Sequence, residues 1–249
     1  MARYVLALVA LSVLSGCPVT QPQDTPVSAR RLGLTDGGGK YWLYVPSYYT
    51  AEQDWPLVIT LHGTHGWDGA KAQVKEWKAL AEEKGFIVAA PALKSPQGIT
   101  PVVRSLWYKD LAEDERTVLS LLDELESTYR IDPEAVLLTG FSAGGYPLYY
   151  IGLQNPHRFN MLIARACNSD LELFDELSIE PEARQLAIRL FWGKDDLRRI
   201  QGDSWQAFRY LREHRFFQTE YEEIKGGHLR RPELAYRLWL ERLPKRHRR

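Results

Sequence analysis

The residues best suited to chemistry are the five from Gly140 to Gly144, which read Gly-Phe-Ser-Ala-Gly. They lie between an apolar run typical of a strand, Ala135 to Thr139, and a stretch typical of a helix. Gly-x-Ser-x-Gly between a strand and a helix is the pattern of a nucleophile elbow. The glycines permit a strained turn that exposes the serine hydroxyl near the N–H groups at the start of the helix. The pattern therefore predicts a nucleophilic Ser142.

A nucleophilic serine needs a general base, because its hydroxyl is weakly reactive at neutral pH. Histidine is the usual base, since its pKa lies near neutrality. Three histidines, His214, His228 and His247, lie downstream of Trp192. His214 lies in a charged helical stretch and His247 in a basic tail, whereas His228 follows a strand and two glycines. We therefore predict that His228 is the base.

The base in turn needs a carboxylate that orients it and stabilises its protonated form. Asp195 and Asp196 both follow the apolar run from Ile188 to Trp192, and either residue is suitably placed. Asp170, after the preceding predicted strand, is a weaker third candidate.

The remaining predicted site residues would bind the oxyanion or the substrate. We expect the N–H groups of Ala143 and Thr64 to form the oxyanion hole, because Ala143 directly follows the nucleophile and Thr64 lies in the turn after the 56–62 strand. His62 is expected to brace its loop by hydrogen bonds, and His65 either packs in that loop or contacts substrate. Two aromatic residues, Trp107 and Tyr108, are predicted either to contact substrate at the edge of the cleft or to pack within their own loop.

The elements that must position these groups alternate between strand and helix along the chain. Strands are predicted at 40–46, 56–62, 86–90, 135–139, 161–167, 188–192 and 219–225. Helices are predicted at 68–84, 110–130, from the elbow to 154, at 203–213 and at 233–243. This alternation predicts one α/β domain, a mostly parallel sheet with helices on both faces. In such folds the active groups gather beyond the carboxyl ends of the strands.

The composition fits one globular domain and argues against a nucleic-acid partner. Of 249 residues 45% are hydrophobic, enough for a large core, and the formal net charge is zero. The longest irregular segments, 93–109 and 169–184, are too short to form a lid domain. A cleft without a lid is better suited to a short acyl group or an exposed polymer chain than to a buried long-chain lipid.

The amino terminus has the pattern of an export signal. Arg3 precedes an apolar run from Tyr4 to Leu14, which is too short to span a bilayer. The following Leu14-Ser15-Gly16-Cys17 resembles the lipobox of bacterial lipoproteins. The resemblance implies lipidation of Cys17 and export to a membrane of the bacterial cell envelope; a plain signal peptide is the alternative.

These features divide the chain into four predicted parts. They are a signal peptide (1–16), a polar, proline-rich tether (17–39), a catalytic domain (40–243) and a frayed basic tail (244–249). Besides Cys17 the chain has only Cys167, so no intramolecular disulfide is expected. Cys167 is predicted to be a buried thiol at the end of a strand.

The order Ser142, Asp196, His228 on an alternating pattern is that of the α/β-hydrolase fold. From about Lys40 to Leu243 the chain resembles secreted esterases of the polyhydroxybutyrate-depolymerase and feruloyl-esterase type. The resemblance rests on Leu61-His62-Gly63, Tyr129-Arg130-Ile131-Asp132-Pro133 and Gly140-Phe141-Ser142-Ala143-Gly144-Gly145. It implies ester hydrolysis through an acyl-enzyme without metal or organic cofactor. The segment Gly193-Lys194-Asp195-Asp196 matches the family's Gly-x-x-Asp, which favours Asp196 as the acid.

Two departures from the family pattern concern the helix and the substrate. Pro147 falls in the first turns of the helix after Ser142, where it would perturb that helix unless the helix start is displaced. The segment His62-Gly63-Thr64-His65 lacks the Cys or Gly-Gly that many relatives carry after His-Gly.

Two other functions fit the same residues. A serine peptidase would use the same triad, although such enzymes usually carry a further gating domain. A lipoprotein that binds a ligand without turnover is the other alternative, disfavoured by the complete set of Ser142, Asp196 and His228. We expect a monomer with an ester substrate and membrane attachment through Cys17.

Overall fold

The computed structural model describes residues 30–96 and 104–248. Within them the strands are β1 (Arg30–Gly33), β2 (Lys40–Tyr44), β3 (Trp55–Leu61), β4 (Ile87–Pro91), β5 (Ile131–Phe141), β6 (Met161–Arg165), β7 (Ala187–Gly193) and β8 (Thr219–Ile224). They form one sheet in the order β1-β2-β4-β3-β5-β6-β7-β8. The strands from β4 to β8 in this order are parallel, whereas β2 is antiparallel to β4 and β1 to β2.

Helices cover both faces of this sheet. They are α1 (Ala70–Lys84), α2 (Arg104–Thr128), α3 (Gly145–Gln154), α4 (Leu171–Glu176), α5 (Arg198–Glu213) and α6 (Pro232–Trp239). Apolar side chains of α1 and α6 pack on one face, and those of α2, α3 and α5 pack on the other. The inner strands are continuous apolar runs because both of their faces are buried. The predicted single α/β-hydrolase domain is confirmed in the described residues.

The predicted boundary between tether and domain is wrong at residues 30–39. Arg30–Gly33 forms β1, which pairs with β2 in the register Arg30↔Leu43. The folded domain therefore includes residues ahead of Lys40. The sequence of β1 contains two arginines and a single large apolar residue, so it lacks the apolar alternation that predicts a strand. The signal peptide, Cys17 and the first part of the predicted tether lie outside the described residues.

The basic tail is docked against the sheet, so the prediction of a frayed tail is also wrong. His247 Nε2 lies 2.6 Å from Asp132 Oδ2, and Arg246 donates a 2.6 Å hydrogen bond to the same oxygen. Burial raises the pKa of Asp132, but hydrogen bonds from His247, the Glu134 amide and Arg246 outweigh it and lower the pKa below its ordinary value. The pairing joins the tail to the amino end of β5, away from Ser142 at its carboxyl end.

Both segments predicted to be irregular contain helix. The first turn of α2 begins at Arg104, within the segment 93–109, and residues 97–103 lie outside the described part. The segment 169–184 contains α4, whose first turn is capped by Asp170. Asp170 accepts a 2.9 Å hydrogen bond from the Leu173 amide and pairs with Arg104. These bonds make Asp170 a structural residue rather than a partner of His228.

The two edges of the sheet differ in length and charge. The edge strand β1 has four residues, whereas β8 has six and exposes Glu220, Glu222 and Glu223. Arg189 and Arg237 pair with Glu220 and Glu222, respectively. Over the described ranges, the helices are too short or too polar to cross a bilayer.

Candidate active site

Ser142 occupies a strained turn between β5 and α3. Its φ of 53° lies in the left-handed region, which costs a residue other than glycine about 1–2 kcal/mol. A 3₁₀ turn, Ser142–Gly144, follows and leads into α3. This is the geometry of a nucleophile elbow, as the pentapeptide predicts.

The displaced start of α3 explains why Pro147 is tolerated. Because the helix begins at Gly145, Pro147 is its third residue. The first four N–H groups of a helix have no partner within the helix, so the missing N–H of proline costs no hydrogen bond there.

The glycines after Ser142 are required by close packing of the backbone. A Cβ on Gly144 would lie 2.6 Å from the Leu61 carbonyl oxygen, and one on Gly145 would lie 2.2 Å from that of Asn168. Both distances are far below van der Waals contact, and the neighbouring atoms belong to the backbone. The elbow is therefore packed directly against the ends of β3 and β6.

We expect Gly145→Ala to lower the free energy of unfolding by about 3 kcal/mol, because the elbow must shift to admit the methyl group. Gly202→Ala is the matched control, since a Cβ on this glycine of α5 would meet nothing within 4 Å. The control should instead raise the free energy of unfolding by roughly 0.5–1 kcal/mol. Denaturant titration measures both, and equal effects of the two changes would contradict the packing argument.

His228 and Asp196 form a hydrogen-bonded pair beyond the ends of β7 and β8. Nδ1 of His228 lies 2.9 Å from Oδ1 of Asp196, whose side chain is fully buried. The Leu197 amide donates a 2.7 Å hydrogen bond to the same oxygen. Asp195 is exposed to solvent, so the geometry favours Asp196 over its neighbour.

This pairing determines how the imidazole can react. A carboxylate only accepts hydrogen bonds, so Nδ1 must carry the proton and Nε2 remains as the basic nitrogen. The Phe141 ring packs against the imidazole with ring centroids 4.6 Å apart. His228 and Ser142 line the same cleft, which has a volume of about 480 Å³. The structure thus brings the three predicted triad residues to one end of the sheet.

The loop after β3 presents Thr64 to this cleft. The Gly63 amide donates a 2.7 Å hydrogen bond to Asp68 Oδ2, and the Thr64 carbonyl accepts from the amides of Trp67 and Asp68. The Thr64 amide donates no hydrogen bond to any other backbone group within residues 30–96 and 104–248. This N–H is therefore available to an oxyanion, as is expected also of the Ala143 amide at the elbow.

His62 braces the loop by hydrogen bonds, as predicted. Its Nδ1 lies 2.8 Å from the Gly63 carbonyl oxygen, and its Nε2 accepts a 3.0 Å hydrogen bond from the Leu93 amide. Burial lowers the pKa of His62, which favours the neutral ring that this pattern requires. Both nitrogens are occupied, so His62 has no role in proton transfer.

An ion pair between Asp68 and Arg230 joins the loop after β3, which carries Thr64, to the loop that carries His228. Besides the Gly63 amide, Asp68 accepts hydrogen bonds from the Gly69 amide, Gln73 and Arg230, at 2.8, 2.7 and 3.0 Å. Burial raises the pKa of Asp68, but the Gly63 amide and the charge of Arg230 outweigh it and lower the pKa. Sequence reasoning missed both residues in this role.

Arg230 is itself held by the buried polar groups beneath the cleft. Its guanidinium lies 5.0 Å from the centre of the Phe141 ring and 3.3 Å from Glu76. Glu76 pairs with Arg165, which is fully buried and donates a 3.3 Å hydrogen bond to the Arg230 carbonyl oxygen. The loop that carries His228 is therefore fixed from two sides.

Asp68→Asn is expected to lower kcat/KM by about 10- to 100-fold, because hydrogen bonds to a charged group contribute roughly 1.5–3 kcal/mol. The amide keeps the size of the side chain but loses the charge and one acceptor. The lowered pKa means that Asp68 stays ionised below the ordinary pKa of aspartate, and the ion pair is lost only as the pH falls through that lowered pKa. Steady-state kinetics measure the effect, with Asp54→Asn as the control, because Asp54 is partly exposed and pairs with Arg130 ahead of the amino end of β3. Equal kinetics of the two variants would contradict a positioning role.

The structure does not place the three predicted substrate contacts in the cleft. His65 is exposed and lines a neighbouring depression. Trp107 is buried and packs edge-on against Tyr146, because α2 starts ahead of it. The Tyr108 hydroxyl accepts a hydrogen bond from Arg104. The cleft walls are instead built by Trp67, Leu197 and Arg230.

The other predicted side chains lie outside the cleft. Cys167 is buried after β6, as predicted, and burial raises the pKa of its thiol to about 12. His214 is an exposed residue at the end of α5. In the part of the chain that the structure describes, His, Cys, Asp and Glu side chains form no group of three that could hold a metal ion.

With this geometry in view, comparison with known proteins identifies the family. A sequence model of the Esterase family matches residues 37–215. The chain belongs to the Esterase family. The family match covers β2 to α5 and includes Ser142 and Asp196, and His228 lies beyond it.

Three curated proteins resemble parts of this chain. The bifunctional acetylxylan esterase/xylanase of Neocallimastix patriciarum is 31% identical over 43% of the chain and 15% of its own length. The poly(3-hydroxyalkanoate) depolymerase C of Paucimonas lemoignei is 29% identical over 46% of the chain and 28% of its own length. Dipeptidyl-peptidase 5 of Porphyromonas gingivalis is 25% identical over 60% of the chain and 22% of its own length. Each match spans less than a third of the relative.

Solved structures share the fold of this chain. A thermostable esterase superposes with a TM-score of 0.62 at 19% identity, covering 86% of this chain and 62% of that one. A ferulic acid esterase from Anaeromyces mucronatus, solved with ferulic acid, has a TM-score of 0.61 at 18% identity, covering 81% and 85%.

Proposed function

We propose that this esterase hydrolyses carboxylic esters through an acyl-enzyme on Ser142. The observation that carries the proposal is the 2.9 Å pairing of His228 with the buried Asp196 at the cleft that Ser142 lines. A base with a fixed tautomer beside a serine on an elbow is the arrangement that activates a hydroxyl for attack.

In the proposed first step, Ser142 Oγ attacks the ester carbonyl carbon while its proton passes to His228 Nε2. The Ala143 and Thr64 amides donate hydrogen bonds to the oxyanion that forms. The tetrahedral intermediate then breaks the bond to the alcohol oxygen, and His228 gives its proton to the departing alcohol. Asp196 stabilises the transient positive imidazole throughout.

The second step repeats this chemistry with water. His228 Nε2 takes a proton from a water molecule, whose oxygen attacks the acyl carbon on Ser142. Collapse of the second intermediate releases the carboxylic acid, and the proton returns from His228 to Ser142 Oγ. Apart from the ester and one water molecule, these steps balance with groups of the chain alone.

Covalent labelling with a fluorophosphonate probe tests the activated serine directly. We expect one phosphonylated residue, Ser142, located by mass spectrometry and absent in the His228→Ala variant. A folded sample without label would contradict the proposal and favour a binding protein on the same scaffold. A label on another serine would contradict the assignment of Ser142.

A panel of ester and amide substrates separates the acyl groups and the peptidase alternative. We expect acetyl and butyryl esters to be hydrolysed faster than palmitoyl esters, since the cleft of about 480 Å³ is edged by exposed Trp67 and Leu197 and leaves a long acyl chain in contact with water. Faster turnover of palmitoyl esters would contradict this preference. Faster turnover of dipeptide amides than of esters would favour a peptidase.

We also propose that Cys17 carries a diacylglyceryl anchor that holds the domain at a membrane of the cell envelope. The support is the sequence Leu14-Ser15-Gly16-Cys17 after the apolar run. Labelling of expressing bacteria with radioactive palmitate tests the proposal. The label should appear on the wild-type chain and disappear in Cys17→Ala, while equal labelling of both would exclude the assignment.

A further inference from the structure

A basic depression lies beside the active-site cleft. It has a volume of about 300 Å³. Its lining includes Arg31 of β1, Lys40 and Trp42 of β2, His65 of the loop after β3, and Lys71 of α1. Lys71 Nζ lies 4.9 Å from the centre of the Trp42 ring. Among the residues that the structure describes, no carboxylate lines the depression.

The cations around it have no counter-charge. Arg31, Lys40 and Lys71 are exposed and form no ion pair with any described residue, and the same is true of Lys75, one turn further along α1. The first turn of α1 carries no acidic residue. Since the whole chain has a net charge of zero, these four cations are a local excess on one face. We call them the basic face.

The basic face lies at the same end of the sheet as Ser142. The register Tyr41↔Pro91 places Lys40 at the carboxyl end of β4, and α1 begins just after β3 ends. Parallel strands end together, so the basic face and the cleft share one end of the domain.

An exposed tryptophan separates the basic face from the cleft. Trp67 is 88% exposed and lies on the loop whose other residues include His65 in the depression and Thr64 in the cleft. An indole ring is poorly accommodated in water, whereas it is favoured at the boundary between lipid headgroups and acyl chains. Lysine and arginine next to such a ring favour anionic headgroups.

We propose that the basic face rests on a membrane surface of anionic phospholipid, with Trp67 in the headgroup layer and the cleft open toward the bilayer. Arg31, Lys40, Lys71 and Lys75 contact the lipid phosphates. Twelve residues separate Cys17 from Arg30, and such a segment extends to at most roughly 40 Å, so an anchor on Cys17 allows this contact. A lipid chain and a polybasic surface together give stable attachment where either alone is weak.

The contact rests on the proposed function and deepens it, because it favours short-chain esters held at the lipid–water boundary over the same esters free in solution. Its own test needs no turnover, so it can fail without the ester chemistry failing.

Vesicle sedimentation of the full, unlipidated chain tests the contact. We expect binding to vesicles of phosphatidylcholine with phosphatidylglycerol to be at least about tenfold stronger than to phosphatidylcholine alone, and to weaken as salt is raised. The triple variant Arg31→Glu, Lys40→Glu, Lys71→Glu should lose at least about tenfold of that binding. A control triple, Lys84→Glu, Arg209→Glu, Lys245→Glu, changes net charge equally at the other end of the fold and should bind much as the wild type does.

Each alternative outcome overturns the proposal. Equal loss in both triples would mean that only net charge matters, and equal binding to both lipid mixtures would mean that the apolar amino terminus alone attaches the chain. Displacement from vesicles by millimolar inorganic phosphate would indicate a site for a small anion instead. Thermal unfolding verifies that both triple variants fold. If one of them does not fold, the single variants Lys71→Glu and Lys84→Glu are compared in its place.

Discussion

Replacing Ser142 with alanine is expected to lower kcat for ester hydrolysis by about 10⁴- to 10⁶-fold. The substitution removes only the hydroxyl group, whose oxygen is the proposed nucleophile. What activity remains would come from the oxyanion donors and from binding alone. The thermal unfolding of the variant should change little, because alanine keeps the Cβ that the turn already accommodates. Hydrolysis of p-nitrophenyl acetate measures the rate.

Ser127→Ala, on the exposed part of α2, is the matched control and should keep wild-type kinetics. Wild-type turnover by Ser142→Ala would exclude the elbow as the catalytic centre. A contaminating esterase is recognised by titrating the residual activity with a fluorophosphonate, which should not label the variant.

The second large effect is expected from Asp196→Asn, which should lower kcat by about 10⁴-fold. An asparagine side chain can place its NH₂ group toward His228, so that Nδ1 must accept and the proton moves to Nε2. The imidazole is then no longer a base toward Ser142, and it has no buried negative charge to stabilise its protonated form. Steady-state kinetics measure the loss.

Asp195→Asn is the matched control, because the two aspartates are adjacent and differ in burial. Asp195 is exposed, whereas the Asp196 side chain is fully buried against His228. The control should keep nearly all of the activity. A larger loss from Asp195→Asn than from Asp196→Asn would transfer the role of the acid to Asp195.

The site residues that sequence could predict are those whose position depends on local chain geometry. The elbow at Ser142 needs small residues at fixed offsets, and those glycines are visible in five letters. His228 and Thr64 follow predicted strands whose ends must meet in a parallel sheet. Local rules left Asp195 and Asp196 equivalent, because burial of one carboxylate depends on how β7 and β8 pack.

What sequence could not predict depends on contacts between distant segments. Asp68 and Arg230 are 162 positions apart, and neither lies in a pattern that suggests its partner. The strand β1 depends on pairing with β2 more than on its own residues, and the docked tail depends on the buried Asp132. Trp107 was misplaced because α2 starts earlier than its apolar periodicity indicates.

The exposed glutamates of β8 have a consequence for how copies of the protein meet. An edge strand offers unpaired backbone groups to any neighbour, and a second copy docking there would lie about 4.8 Å away. At that spacing the glutamates of the two copies would lie side by side, with Glu220 and Glu222 on one face of the joined sheet and Glu223 on the other. The arginines beside Glu220 and Glu222 neutralise only part of this charge. Sheets from two molecules are thus discouraged from joining, even where many copies are concentrated on one surface.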